Sequence, residues 1–303
     1  MKKLFTLILG VAALQVFAQQ DPLYSQYMFN PIVINPGYSG SRNVLTATLD
    51  NRYQWVGIEG APRTLTLSVH SPLRNDHIAL GGYVYSYKLG PTVEYGVMGN
   101  YVYRINVGQG RLAFGLQAGF VRLNIDWDKT TVHDEEDPFY TNRATGRMRP
   151  DANLGIYYFT PRFYVGLSSK HLFENIISPV STTDQIYADL TRHFYLVSGY
   201  AWEISNDFVL KPSTLIKYAK NAPVNVDLNV SCLMKKTVEL GVSYRNLVNA
   251  IVFLAEFHLG KGLTLGYSYD AALNEIKNYS NGSHEVMISY DFKVGKEQAL
   301  RYF

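Results

Sequence analysis

Several of the residues and patterns that would point to chemistry are missing from this chain. Its 303 residues contain one cysteine, Cys232, so no internal disulfide can form. Cys232 alternates with Val226, Leu228 and Val230 on one face of an expected strand, where it reads as a small apolar residue rather than a nucleophile. The seven histidines are scattered, with no pair at zinc-ligand spacing. Lys and Arg number 28 against 25 Asp and Glu, and Lys2 and Lys3 lie in the opening leader, so nothing electrostatic argues for nucleic acid. No apolar run approaches the roughly 18 residues of a membrane-spanning helix. Gly81-Gly82 and Gly108-x-Gly110 lack the strand-to-helix context of a phosphate cradle. Ser168, Ser169 and His171 are close in sequence, but alternation puts only Ser169 and His171 on one face, with no identifiable orienting acid. No enzyme is expected. The one dense carboxylate run, His133 to Asp137, has neither glycine nor calcium-loop spacing and reads as a solvated acidic loop. No cofactor or metal is expected.

What is plentiful is aromatic and small: 24 Tyr, 15 Phe and 24 Gly. Met1-Lys2-Lys3, the apolar run Leu4 to Leu14 and the small residues before Gln19 form a secretory leader, which sets 1–18 apart as a signal peptide. Period-two alternation then predicts strands near 43–52, 62–71, 77–88, 92–106, 110–124, 152–160, 162–172, 191–203, 206–219, 223–235, 237–246, 248–259, 262–270 and 283–293. Leu65, Leu67 and Val69, for example, alternate with Thr64, Thr66, Ser68 and His70. The alternation is blurred near 77–88 and 191–203, where both faces are apolar or aromatic.

About fourteen strands of this length suit tilted bilayer crossings. Connections alternate between tight turns (Thr160-Pro161, Ser205-Asn206, Lys235-Lys236, Gly260 to Gly262) and mostly longer links (54–61, 125–151, 173–190, 219–225, 271–282). A soluble sandwich would not sort its loops in this way. The expected fold is therefore all-β, a transmembrane antiparallel outer-membrane β-barrel over 43–293 in contact with outer-membrane lipid. Its short turns and both termini would lie in the periplasm, and 294–303 would form a tail. Glu94, Arg104, Asp227, Glu239, Arg245, Glu256 and Asp291 are expected on the inner face. Their mixed signs argue against a selectivity ring and suit a filled lumen, with a passive diffusion channel as the alternative.

The stretch Gln20 to Ser41, within a segment 19–42, fits neither strand nor linker. Proline lacks a backbone donor and restrains the residue before it, so Asn30-Pro31 and Asn35-Pro36 exclude a regular helix and a central strand. Tyr24, Tyr27, Phe29 and Tyr38 make it too apolar to stay solvated. It must dock, either in the lumen, entered from the periplasmic side, or on a periplasmic partner; the mixed-charge inner wall favours the lumen. Long aromatic-bearing links carrying Trp127, Phe139, Tyr140, Phe173 and Tyr187 are the candidate surface for a protein client.

Asp21-Pro22, Ser25-Gln26-Tyr27-Met28-Phe29-Asn30-Pro31 and Asn35-Pro36-Gly37-Tyr38-Ser39-Gly40 resemble the N-terminal signature of the PorP/SprF family. Arg52-Tyr53-Gln54-Trp55 and Gly60-Ala61-Pro62-Arg63-Thr64 are similar to elements of that family's first hairpin. The resemblance spans effectively the whole chain and departs at Gly37, where alanine is common. It implies an outer-membrane component of the type IX secretion system, working beside periplasmic ring and peptidoglycan-linked proteins. The implied role is export or surface attachment of a secreted protein such as a gliding adhesin. On that resemblance Asp21, Pro22, Tyr24, Gln26, Tyr27, Phe29, Asn30, Pro31, Asn35, Pro36, Tyr38 and Trp55 are the candidate plug or partner-contact residues.

Overall fold

A computed structural model describes residues 21–74, 76–127, 148–174 and 190–292. The strands are β1 (Leu45–Tyr53), β2 (Arg63–Pro72), β3 (Ile78–Leu89), β4 (Thr92–Val107), β5 (Gly110–Ile125), β6 (Arg149–Phe159), β7 (Phe163–Lys170) and β8 (His193–Tyr200). They continue as β9 (Trp202–Glu203), β10 (Phe208–Ala219), β11 (Asn225–Met234), β12 (Val238–Arg245), β13 (Ala250–His258), β14 (Leu263–Ala272) and β15 (Ser283–Phe292). Each pairs antiparallel with its sequence neighbours, except that β8 and β9 both pair with β10 rather than with each other. β1 meets β15 from Leu45↔Phe292 to Tyr53↔His284, which closes the sheet into a ring. A closed ring leaves no unpaired sheet edge, the condition for a sheet to survive in lipid.

The fifteen strands make fourteen staves, because β8 and β9 form one stave interrupted at Ala201. The sequence predicted this stave as the unbroken strand 191–203. Its partner explains the break. β10 aligns Ser213 with Gly199 and Leu210 with Trp202, so the interruption falls opposite Lys211 and Pro212, and proline has no N–H to donate to the ladder.

The usual burial pattern is inverted on the wall. On β2, Leu65, Leu67 and Val69 are 46%, 44% and 40% exposed, while Thr64, Thr66, Ser68 and His70 are buried. The outward faces of β4, β12 and β15 are likewise apolar, with Val97, Tyr101, Leu240, Val242, Val286 and Ile288 exposed. Such an exterior is stable only against lipid. Turns at one end are tight. Lys235 and Lys236, both with φ near +50°, form a two-residue hairpin turn in which Thr237 N–H donates to the Met234 carbonyl. The opposite end carries the longer connections, including 126–148 and 171–192.

Inside, polar residues share the space with an apolar cluster that no solvated channel would have. Tyr83, Met98, Val102, Tyr157, Tyr164, Tyr195, Val197 and Leu215 point inward and bury Tyr24, Tyr27, Ile32, Val33, Ile34 and Tyr38. These last six belong to the segment that precedes β1. The blurred alternation of β3 and β8 thus has a cause: Tyr83, Tyr195 and Val197 face inward to meet that segment.

Candidate functional site

The two Asn-Pro pairs set the local shape of the segment. Pro31 and Pro36 each open a single 3-10 turn, Pro31–Val33 and Pro36–Tyr38, where a missing N–H costs nothing. The Asn35 side chain caps the second turn by accepting from Gly37 N–H at 2.9 Å. Between Asp21 and Ser41 almost every residue is buried, although the segment has no regular secondary structure. Its polar groups therefore have to be satisfied by the barrel wall.

Most of them are, from one mouth to the other, although Gln26 Oε1 and Asn30 Nδ2 are buried without a hydrogen bond. At the long-connection mouth, the Asp21 carboxylate accepts from Lys170 Nζ (2.8 Å), His171 Nε2 (2.6 Å) and the Tyr195 hydroxyl (2.5 Å). Burial alone would raise the Asp21 pKa, but Lys170 and His171 outweigh it and hold it well below the usual carboxylate range. His171 Nδ1 donates to Asp151 at 2.7 Å. Burial disfavours its imidazolium, yet the flanking Asp21 and Asp151 lift its pKa to about 9. Next comes a charged clasp. Arg52 donates to Asp270 Oδ2 (2.7 Å), Glu285 Oε2 (3.1 Å) and Ser25 Oγ (2.7 Å), while Glu285 accepts from the Ser25 and Gln26 backbone N–H groups at 2.7 and 2.8 Å. Arg245 bridges Asp227 (3.2 Å) and the Tyr24 carbonyl (3.0 Å). Tyr24 shares a hydroxyl hydrogen bond with Thr66 (2.9 Å), Gln26 Nε2 donates to the Glu285 carbonyl (3.1 Å), and Tyr27 is bonded by Asn229.

Farther along the lumen, Asn30 accepts from Ser68 (3.0 Å), Ser168 donates to the Ile34 carbonyl (2.8 Å), and the Phe29 ring lies 5.9 Å from Lys211 Nζ. Asn35 Nδ2 reaches the wall carbonyls of Ile156 and Leu167, both at 3.1 Å. Tyr38 packs edge-on against His70 and Tyr157 at 5.4 and 5.7 Å between centroids. Arg104 donates to the Gly40 carbonyl (2.7 Å), and Arg42 meets Asp291 (3.4 Å) at the short-turn mouth. The segment therefore runs the length of the lumen.

That path departs from the sequence expectation that the segment enters the lumen from the short-turn side. β1 begins and β15 ends at the short-turn mouth, but Asp21 lies at the other one, because its partners Lys170, His171 and Tyr195 flank the 171–192 connection. Other expectations drawn from the sequence also need correction. Ser169 and His171 do not share a face: the +56° φ of His171 turns its ring inward, and Asp151 and Asp21 supply the acids that sequence alone did not identify. Ser168, not Ser169, points inward. Trp55 is separate from the segment, on the long-connection rim, where its N–H donates to Ser283 Oγ at 3.1 Å. Trp127 is half-buried just beyond β5 and Phe173 is 57% exposed at the same end. Phe139, Tyr140, Tyr187, the acidic run 133–137, the leader and the tail lie outside the described residues.

Sequence reading overlooked the seat beneath Asn35-Pro36-Gly37. Gly115, Gly155 and Gly166, on the adjacent strands β5, β6 and β7, present bare backbone to it. A Cβ on Gly155 would lie 2.8 Å from Pro36 Cδ, one on Gly115 2.7 Å from Gly37 Cα, and one on Gly166 2.7 Å from Asn35 Nδ2. A turn can lie this close to a wall only where the wall has no side chains.

Comparison with known proteins agrees with this architecture. The fold is similar to that of the Ralstonia pickettii toluene transporter TbuX, with 10% identity, a TM-score of 0.50, and 86% of this chain and 92% of that one covered. It is similar also to a Pseudomonas aeruginosa FadL homologue, with 12% identity, a TM-score of 0.50, and 90% and 95% covered. At such identities the likeness is one of fold. No curated protein sequence matches the chain. Residues 16–290 match the family described as type IX secretion system membrane protein PorP/SprF. The chain belongs to the PorP/SprF family of type IX secretion system membrane proteins and is an outer-membrane β-barrel.

Proposed function

We propose that this protein is a closed platform of the type IX secretion system. Its long connections assist export or hold a secreted protein, such as a gliding-motility adhesin, at the cell surface, while residues 21–41 keep the lumen shut. The observation that carries this reading is the filled lumen. Conduction requires a continuous water path, and here buried side chains from Tyr24 to Tyr38 pack against inward-facing Tyr83, Tyr157, Tyr164 and Tyr195. In this reading the leader 1–18 is removed on export and the short-turn rim faces the periplasmic ring and peptidoglycan-linked proteins. The connections 125–151 and 173–190, with Trp127, Phe139, Tyr140, Phe173 and Tyr187, meet the client.

In planar bilayers the intact protein is expected to be silent; discrete conductance steps would favour a diffusion channel instead. Removing 128–147 or 175–189 should abolish client display at the cell surface while leaving a heat-modifiable barrel in the outer membrane. Undiminished display would overturn the platform reading.

Orientation has its own test, made in a Cys232→Ser background. Leu23→Cys, near the long-connection mouth, should react with a membrane-impermeant maleimide on intact cells, and Gln109→Cys, on the short-turn rim, only after lysis. The reverse pattern would place the long connections in the periplasm.

A further inference from the structure

Two buried carboxylates face each other near the short-turn mouth, away from the Asp21 and Arg52 groups. Glu239 on β12 lies directly opposite Glu256 on β13, and both are 2% exposed. Like charges directly opposed across a sheet are unfavourable, more so when shielded from water. Glu239 has partners: Ser231 Oγ donates to Oε1 at 2.5 Å and Lys211 Nζ to Oε2 at 2.9 Å. Glu256 differs. Among the described residues no hydrogen bond reaches its carboxylate, and the one ion pair within 4.0 Å is with His258, whose Nε2 is 3.9 Å from Oε2, while Lys211 and Arg42 attract it from farther off. A lone lysine cannot neutralise two carboxylates, and the nearby Arg42 is already engaged with Asp291.

His258 follows Glu256 by two residues and therefore shares its inner face. Its Nδ1 lies 3.2 Å from the Thr264 hydroxyl, an arrangement that orients the ring and leaves Nε2 directed at Glu256. One oxygen each from Glu239 and Glu256 and one nitrogen from His258 lie within 4.8 Å of one another. Outer partners that fix a histidine ring and a carboxylate in this way are characteristic of metal ligands. The other grouping of this kind, Asp21, His171 and His193, differs because Lys170, Tyr195 and Asp151 already occupy Asp21 and His171.

We propose that Glu239, Glu256 and His258 bind a divalent transition-metal cation of the zinc class. Two carboxylate oxygens and one imidazole nitrogen are a zinc-type donor set, with water as fourth ligand. Bonds of about 2.0–2.2 Å bring such ligands roughly 3.3 Å apart, a closure within reach of side-chain rotation on two adjacent strands. The spare lone pairs of the Glu239 carboxylate let Lys211 stay in place. Entry is open, since the His258 side chain is 30% exposed. Because Lys211 also lies over Phe29, the bound ion would brace the wall beside the lumenal segment. This site stands independently of the client reading.

The test uses the full barrel in detergent, stripped with EDTA and titrated with Zn²⁺ against a fluorescent chelator. One tight equivalent is expected. Glu256→Gln and His258→Gln should each weaken it about 100-fold or more, the upper range of outer-shell losses. His193→Gln should leave it unchanged. Co²⁺ should give the absorption of a tetrahedral site in the intact protein and not in Glu256→Gln. That variant removes a like-charge contact, so it should keep the heat-modifiability of a folded barrel. Equal Zn²⁺ affinity in Glu256→Gln and the intact protein, or no tight equivalent at all, would overturn the site and leave the two carboxylates sharing a proton.

Discussion

Replacing Arg52 by methionine should destabilise the barrel by about 3–5 kcal/mol, the loss typical when one partner of a buried ion pair is removed. Arg52 is 2% exposed, and its guanidinium serves Asp270, Glu285 and Ser25 at once. Methionine preserves much of the stem's packing but leaves two carboxylates in the lumen with weaker compensation. Arg245 reaches Asp270 only at 3.6 Å. For a domain this large a loss of that size corresponds to a fall in melting temperature on the order of 10 °C, readable from the heat-modifiable gel shift. Combining Arg52→Met with Asp270→Asn and Glu285→Gln should recover a good part of the loss, because the uncompensated charge rather than the missing contact dominates. A shift of only a degree or two in the single variant would mean that water already reaches the clasp.

The wall was legible because the barrel's chemistry repeats every two residues. Apolar side chains point to lipid, polar ones point inward, and all fourteen staves lie where that alternation puts them. Where the pattern failed, the cause was a residue distant in sequence. Proline at 212 interrupts the opposite stave at Ala201, a consequence visible only once the register is known. Tyr83, Tyr195 and Val197 blurred two strands because they pack on a segment read separately.

The lumenal segment could be recognised from its prolines and aromatics, but its contacts could not. Arg52 and Trp55 stand in one motif; alternation sends Arg52 inward to the clasp, whereas the +49° φ of Trp55 belongs to a turn on the rim. His171 likewise left its expected face through a single left-handed residue. Gly115, Gly155 and Gly166 looked like ordinary strand glycines. Their role depends on Asn35-Pro36-Gly37, which lies from 78 to 131 positions away in the chain. Periodicity carries no such long-range information.

Gly155→Val should turn the silent barrel into one that conducts. Valine's Cβ would collide with the Asn35 side chain and lie 2.8 Å from Pro36 Cδ, and its two methyl groups add further bulk at the same place. The β6 backbone is held on both sides, by β5 and β7, so it is the Asn35–Gly37 turn that must move. Moving it breaks the Asn35 bonds to the Ile156 and Leu167 carbonyls and loosens the cap on Gly37. Three hydrogen bonds at about 1 kcal/mol each, with roughly 1–3 kcal/mol of overpacking, weaken the hold on the segment by some 4–6 kcal/mol. At 1.4 kcal/mol per tenfold, the displaced population should rise about 10³-fold or more. Single-channel recordings would register this as frequent openings, with the stave ladder and the heat-modifiable gel shift preserved. Gly99→Val is the control: Gly99 faces outward, and the nearest atom to its added Cβ is 3.8 Å away, so that barrel should stay silent. If Gly155→Val were as silent as Gly99→Val while deletion of residues 21–41 conducted, the segment would be held by the Arg52 clasp and the Asp21 contacts alone, and the glycine seat would be no more than a close fit.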